Sequence, residues 1–225
     1  MDVQEATTCR LPDLKERHLP ENCREAVNTI LKETYGYEQF RNLEIYDDLF
    51  KGKEKLCISQ GQLIENVILE AEEAWKGETK IDNILLTAPT GSGKSMLFQL
   101  PAIYLGKEYN LLTIVVSPLK ALIVDQVESL QELGYMRVAY ASSDLSPEQK
   151  MEVYRQVREG EIDLFYLSPE LLLSYDIKHF VGERRIGLVV VDEAHTVTTW
   201  GKEFRVDYWF LGRYLNTLKQ TLGYS

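Results

Sequence analysis

Two short polar patterns, each placed after an apolar run, constrain this chain more than any other feature. Residues 88–95 read Ala-Pro-Thr-Gly-Ser-Gly-Lys-Ser and follow Ile84-Leu85-Leu86; residues 192–195 read Asp-Glu-Ala-His and follow Leu188-Val189-Val190-Val191. The first reads as strand, loop and helix start. Its glycines let backbone N–H groups wrap around phosphates, and a helix N-terminus adds positive potential. Thr90, Gly91, Ser92, Gly93, Lys94 and Ser95 form the candidate cradle for ATP, with Lys94 reaching the β- and γ-phosphates and the Ser95 hydroxyl on Mg²⁺. The second pattern places Asp192 at the C-terminal end of a strand, where open parallel sheets bind their ligands. Asp192 would hold Mg²⁺ and Glu193 would polarise the attacking water, with His195 completing the candidate catalytic set.

Each pattern has a plainer reading. A Gly-Lys-Ser loop arises by chance, and here Ala88 stands where the consensus has its first glycine. Asp-Glu-Ala-His alone also describes a solvated strand end. The two in this order, 98 positions apart from Lys94 to Asp192, favour one ATP-hydrolysing site. His195 belongs to no His-Glu-x-x-His pattern, so a zinc protease is not expected.

Strand-like runs at 84–87, 111–116, 137–141, 163–167 and 186–191 alternate with helix-like runs at 94–105, 119–133, 146–158, 169–174 and 207–219. Such alternation predicts βαβ units and a mainly parallel sheet flanked by helices, an α/β fold. Ser146-Pro147-Glu148-Gln149 reads as a helix start with Ser146 as cap. Upstream, residues 11–34 read as helical and Pro20 divides them into two helices. Residues 35–61 are mixed, and Leu63, Ile64, Val67, Ile68, Ala71 and Trp75 repeat at helical spacing.

The hydrophobic content of 44% suffices for a full core. No apolar run approaches the ~20 residues of a membrane span, and the polar Met1–Glu5 start lacks a signal-peptide core, so no membrane association and a cytoplasmic location are expected. Three cysteines imply no disulfide framework, and Cys9, His18 and Cys23 lack zinc-finger spacing. The net charge of −10 argues against tight, charge-driven nucleic-acid binding, while leaving contacts by backbone N–H groups and helix starts open.

With these motifs in order, residues 55–215 resemble the first RecA-like domain of a superfamily 2 DEAD/DEAH-box helicase, most closely of the RecQ type. Gln62, in Ser59-Gln60-Gly61-Gln62, resembles the upstream glutamine that reads adenine. The run Ser117-Pro118-Leu119-Lys120 with Asp125-Gln126 is similar to motif Ia, and Tyr166-Leu167-Ser168-Pro169-Glu170 to motif Ib. Trp200-Gly201, Phe204-Arg205 and Tyr208 are similar to the RecQ aromatic-rich loop, with Lys202 and Val206 in place of the usual His and Pro. The resemblance implies nucleic-acid contacts by Ser117, Pro118, Lys120, Gln126, Ser168, Pro169, Trp200, Phe204 and Arg205; the substrate would be DNA, with RNA not excluded. Core packing of Phe204 and plain helix starts at the two Ser-Pro pairs are the alternatives.

The run Tyr35-Gly36-Tyr37-Glu38-Gln39-Phe40-Arg41 also resembles the RecQ segment preceding the adenine-reading glutamine, but Asn42-Leu43-Glu44 follows where Pro-Gly-Gln is expected. Whether Gln62 or the 35–44 segment reads adenine is left open. The expected organisation is a mostly helical extension over 1–54 and a RecA-like ATP-binding domain over 55–225. No second RecA-like domain follows before Ser225. In such motors ATP lies between two domains and the second supplies arginine fingers, so the missing half would come in cis or in trans, and this chain alone would hydrolyse ATP poorly. The leading expectation is the motor domain of an ATP-dependent DNA helicase. A nucleotide-binding switch in a repair or defence complex is the alternative, and a P-loop kinase fits the Asp-Glu-Ala-His segment less well.

Overall fold

The computed structural model describes residues 19–46, 55–77, 84–86, 91–194, 210–215 and 217. Four parallel strands make the central sheet: β3 (Leu112–Val116), β4 (Val138–Ala141), β5 (Leu164–Leu167) and β6 (Ile186–Val191), in the order β4-β5-β3-β6. Every residue of β3 and β5 is buried, as expected for strands covered on both faces. The faces separate by alternation. Ile114, Val116, Phe165 and Leu167 pack with α5 (Pro147–Arg158), α6 (Pro169–Leu173) and α7 (Ile177–Val181). Val115, Leu164 and Tyr166 pack with α1 (Glu25–Tyr35), α2 (Gln60–Lys76), α3 (Met96–Tyr109) and α4 (Lys120–Glu132) on the other.

Helix α3 carries the chain from the phosphate loop through this second layer. Leu97 and the whole run Gln99–Gly106 are buried, so the helix is apolar nearly all round and is covered by α1 and α2 as well as by the sheet. Helix α1 joins the same core through Val27, Ile30 and Leu31, spaced for one helical face. Arg24 anchors it: its guanidinium bonds Glu65 and Glu72 of α2, both at 2.6 Å, and the Tyr104 hydroxyl at 2.6 Å. A second buried ion cluster closes the far edge of the sheet, where fully buried Asp163 meets Arg137 at 2.6 Å and Arg184 at 3.1 Å.

The expected strands at 111–116, 137–141, 163–167 and 186–191 and the helices between them form within two residues of their expected starts, apart from the longer C-terminal end of α3. Residues 210–215 are helical, inside the expected 207–219 run. Helix α7 has no counterpart in the expectations. The break at Pro20 is present, since 19–24 are not helical; the expected first helix from residue 11 lies outside the described residues up to 18. Two expectations change. Residues 84–86 form no strand, and Leu85 and Leu86 are 60% and 40% exposed, because an apolar run becomes a strand only where a neighbour pairs its backbone. The mixed segment 35–61 holds an antiparallel hairpin, β1 (Asn42–Tyr46) with β2 (Lys55–Ser59), in the register Asn42↔Ser59 to Tyr46↔Lys55.

Candidate functional site

The C-terminal ends of β5, β3 and β6 lie level, with Val116 paired to both Leu167 and Val191. The next residues, Ser168, Ser117 and Asp192, therefore line one edge of the sheet. The Asp192 N–H donates to Val116 O at 2.9 Å, carrying the ladder one residue past β6. Glu193 then adopts φ +51, a left-handed backbone that costs roughly 1–2 kcal/mol for a non-glycine residue and ends the strand abruptly. Burial pushes the Asp192 carboxyl above the usual carboxylate range. The Glu193 N–H at 2.9 Å, the Gln126 amide at 3.4 Å and the Lys94 charge act in the opposite direction.

The phosphate loop is described from Gly91; Thr90 lies outside the described residues. Gly91 and Gly93 have φ of +79 and +76, and a Cβ on Gly93 would lie 2.7 Å from Gln60 Nε2. Lys94 and Ser95 open the first turn into α3: Leu97 N–H bonds Lys94 O at 3.0 Å and Gln99 N–H bonds Ser95 O at 2.9 Å. Ser92 Oγ is buried without a hydrogen-bond partner, and Gln60 Nε2 donates to Ser92 O at 2.8 Å. This cradle suits ATP: tight backbone, an orphaned hydroxyl and a lysine at the helix start. Among the described residues no group of three His, Cys, Asp or Glu side chains gathers. A Mg²⁺ ion here would draw on one carboxylate, a hydroxyl and nucleotide phosphates, a donor set that Mg²⁺ favours.

The glutamine against the loop is Gln60 and not Gln62. Gln62 Oε1 accepts from Ser59 N–H at 3.0 Å in a capping box at the start of α2, and its Nε2 donates to Pro20 O at 3.1 Å. Those bonds hold its amide away from the phosphate loop. Gln60, 1% exposed, is bonded to Arg41 in both directions, through Gln60 N–H to Arg41 O at 2.9 Å and Arg41 N–H to Gln60 Oε1 at 3.2 Å. Phe40 packs directly on the next residue: a Cβ on Gly61 would lie 2.6 Å from Phe40 Cδ2.

The two Ser-Pro helix starts differ. At Ser168-Pro169 the Ser168 Oγ caps α6 by accepting Leu171 N–H at 3.3 Å, and Pro169 is buried. At Ser117-Pro118 no side chain caps α4, and the buried Ser117 Oγ has no hydrogen-bond partner. Lys120 is exposed and paired with Asp144 at 3.0 Å and with the Ser143 hydroxyl, and this pairing holds the Asp144 carboxyl below the usual range. Gln126 turns inward to Tyr166 and Asp192. His195, Trp200, Phe204 and Arg205 lie outside the described residues.

The hydrogen-bonding roles of Gln60, Gln99 and Tyr35 do not follow from sequence; Gln60 and Tyr35 stand inside runs with a family resemblance, and Gln99 has no such signal. Of the cysteines, Cys23 and Cys57 are free thiols; Cys9 and His18 lie outside the described residues.

Comparison with known proteins agrees with this geometry. Residues 62–225 match the DEAD/DEAH box helicase family model. The chain is 30% identical over 184 residues to the ATP-dependent DNA helicase RecQ of Haemophilus influenzae, covering 82% of this chain and 25% of that protein. It is 33% identical over 202 residues to the RecQ of Synechocystis, covering 89% and 35%. It is 39% identical over 125 residues to the ATP-dependent DNA helicase Q-like 5 of Arabidopsis thaliana, covering 55% and 13%. The chain therefore spans about a third or less of the length of each of these relatives. With residues 62–225 matching its model, this RecA-like α/β chain belongs to the DEAD/DEAH box helicase family.

Proposed function

We propose that this chain is the ATP-binding motor domain of an ATP-dependent DNA helicase of the RecQ type. The observation that carries the reading is the geometry of the phosphate loop, with Gly91 and Gly93 at positive φ leading through Lys94 and Ser95 into α3. Lys94 faces the β- and γ-phosphates, Ser95 and Asp192 hold Mg²⁺, and Glu193 orients the attacking water, with His195 beside it. Mg²⁺ neutralises charge on the β- and γ-oxygens when bound. Gln60 reads adenine. Its amide has two N–H groups and two lone pairs; Ser92 O and Arg41 N–H engage one of each, and the pair that remains, covered in this structure, meets adenine N7 and N6 once nucleotide entry uncovers it.

DNA contacts run along the same sheet edge. The uncapped start of α4 and the orphaned Ser117 Oγ offer donors to backbone phosphates, next to Pro118 and Lys120, with Ser168 and Pro169 alongside. Trp200, Phe204 and Arg205 extend this face by stacking and phosphate contact. A second RecA-like domain completes the ATP site, in cis or in trans, and the protein acts in the cytoplasm. Among the described residues no helix is long and apolar enough to cross a membrane.

The test is ATP turnover in the complete motor against single-stranded DNA concentration. Turnover that rises with DNA, and falls in stimulation but not in ATP affinity for Trp200→Ala and Arg205→Ala, is the expected result. Nucleotide binding with no DNA stimulation would favour a nucleotide-dependent switch, a reading to which the net charge of −10 lends weight.

A further inference from the structure

A chain of hydrogen bonds runs through the core to Asp192. Tyr35 OH, on α1, donates to Gln99 Oε1 at 2.8 Å. Gln99 Nε2 donates to Tyr166 OH at 3.1 Å and to Gln126 Oε1 at 3.4 Å. Tyr166 OH donates to the same Gln126 oxygen at 3.0 Å. Gln126 Nε2 then donates to Asp192 Oδ2 at 3.4 Å. Gln99 is 5% exposed and Tyr166 fully buried, so these groups have little access to water as a substitute partner.

The chain has a direction. Two donors converge on Gln126 Oε1, so the amide group left to face the carboxylate is the NH₂ end. If the amide turned over, its NH₂ would face the Tyr166 and Gln99 donors and its oxygen would face a carboxylate; both contacts are unfavourable. Gln99 is oriented in the same way, because its oxygen accepts from Tyr35. The orientation of one amide beside the metal-binding carboxylate is thus set from a helix 25–35 that lies outside the residues matching the family model.

We propose that Gln126 is a positioning residue for Asp192, and that Tyr166 together with the Tyr35–Gln99 pair fixes the orientation of its amide. The proposal rests on Asp192 being the Mg²⁺-binding carboxylate. Gln126 is six positions along α4 from Lys120, and Tyr166 is two positions before Ser168. Gln126 and Tyr166, one of the groups that hold its amide, thus sit on elements whose ends face the proposed DNA path. The glutamine also neutralises nothing and takes no proton; it orients.

The experiment is equilibrium binding of a fluorescent ATP analogue to the 225-residue chain, with Mg²⁺ and with EDTA, and the readout is the gain in affinity that Mg²⁺ brings. Wild type should show a gain and Asp192→Asn should lose it; if either fails, the metal-site reading itself is wrong. Given that control, Gln126→Ala should reduce the Mg²⁺-dependent gain by about 5- to 20-fold, the scale of one hydrogen bond to a charged group. Affinity in EDTA should stay at the wild-type level, a split that a general loss of packing would not produce. Gln126→Glu keeps the size and the acceptor oxygen but turns a carboxylate on Asp192. It should lose at least as much, and it carries the test if Gln126→Ala fails to fold by circular dichroism. Tyr166→Phe and Tyr35→Phe, which delete single hydroxyls, should lose progressively less. A full Mg²⁺-dependent gain in Gln126→Glu, with Asp192→Asn defective, would overturn the proposal.

Discussion

Arg41 and Gln60 lie 19 positions apart in the chain and are hydrogen-bonded to each other in both directions, at 2.9 and 3.2 Å. The β1–β2 hairpin produces this. Its strands pair from Asn42↔Ser59 to Tyr46↔Lys55, which brings the flanking residues Arg41 and Gln60 side by side. Phe40 meets Gly61 at the same place, where a Cβ on Gly61 would lie 2.6 Å from Phe40 Cδ2.

Gln60 and Gln62 should separate cleanly by mutation. Gln60→Ala removes the amide against the phosphate loop and should lower the preference for ATP over GTP by about tenfold or more, the scale of one paired base contact. Gln62→Ala removes half of a capping box and a bond to Pro20 O, and should cost about 1 kcal/mol of stability with nucleotide preference unchanged. Competition titrations of ATP and GTP, with thermal melts of both variants, check this. A loss of preference in Gln62→Ala alone would reverse the assignment.

The pairing also shows what local pattern carries and what it leaves out. The strand–loop–helix units of residues 111–191 were legible because apolar period and Ser-Pro or Ser-x-x-Gln helix starts act over a few residues. The glycine loop and the carboxylate at the end of β6 were legible because ATP chemistry demands specific residues in fixed order. Ser59-Gln60-Gly61-Gln62 contains two glutamines, and only the contacts of Gln60 with Ser92 and Arg41 show which of them lies against the phosphate loop. The hydrogen-bonding roles of Tyr35 and Gln99 were not legible, since they exist only where α1, α3 and β5 meet. The 84–86 run failed for the opposite reason: its composition suits a strand, but strand formation depends on a partner.

Arg24 should be a stability determinant with a defined pH signature. Burial raises the Glu72 carboxyl, but Arg24 and the Tyr109 hydroxyl outweigh it and hold the folded value below the ordinary 4.5. A depressed carboxyl contributes stability above its unfolded value and loses it as pH falls through the lower folded value. Arg24→Ala leaves Glu65 and Glu72 without their cation and should cost about 3 kcal/mol at pH 7. The gap between variant and wild type should narrow below pH 4.5, as Glu72 protonates. Urea melts at pH 7 and pH 4 measure it; a gap independent of pH would contradict the ion-cluster account.

The thiols should react unequally. Burial, with Glu65 beside it, pushes the Cys23 thiol up to about 12, whereas Cys57 is exposed. At pH 8 only about one Cys23 in 10⁴ is thiolate, so native alkylation should mark Cys57 and spare Cys23 until the protein is unfolded. Peptide mass mapping reads each site separately. Equal native labelling would show that the contact between the 19–24 segment and α2 opens readily.

Lys120 and Asp144 should act in opposite directions on DNA binding. Lys120→Ala should weaken single-stranded DNA binding equally across sequences and reduce the salt slope by about one. Asp144→Ala releases Lys120 from its carboxylate partner and should strengthen binding. Fluorescence anisotropy in the complete motor over a range of salt concentrations distinguishes them. The same sign for both variants would mean that Lys120 serves the β4–α5 turn and not the DNA.

The central claim is that Lys94 and Asp192 form one ATP site, and the most direct test is a titration of Mg²⁺–ATP against wild type and Lys94→Ala. Removing the ammonium deletes charge-assisted bonds to the β- and γ-phosphates, so affinity should fall about 10- to 100-fold. Glu193→Gln, measured beside it, should bind as tightly as wild type, because its proposed role begins with the attacking water. Equal affinity in Lys94→Ala and wild type would contradict the account.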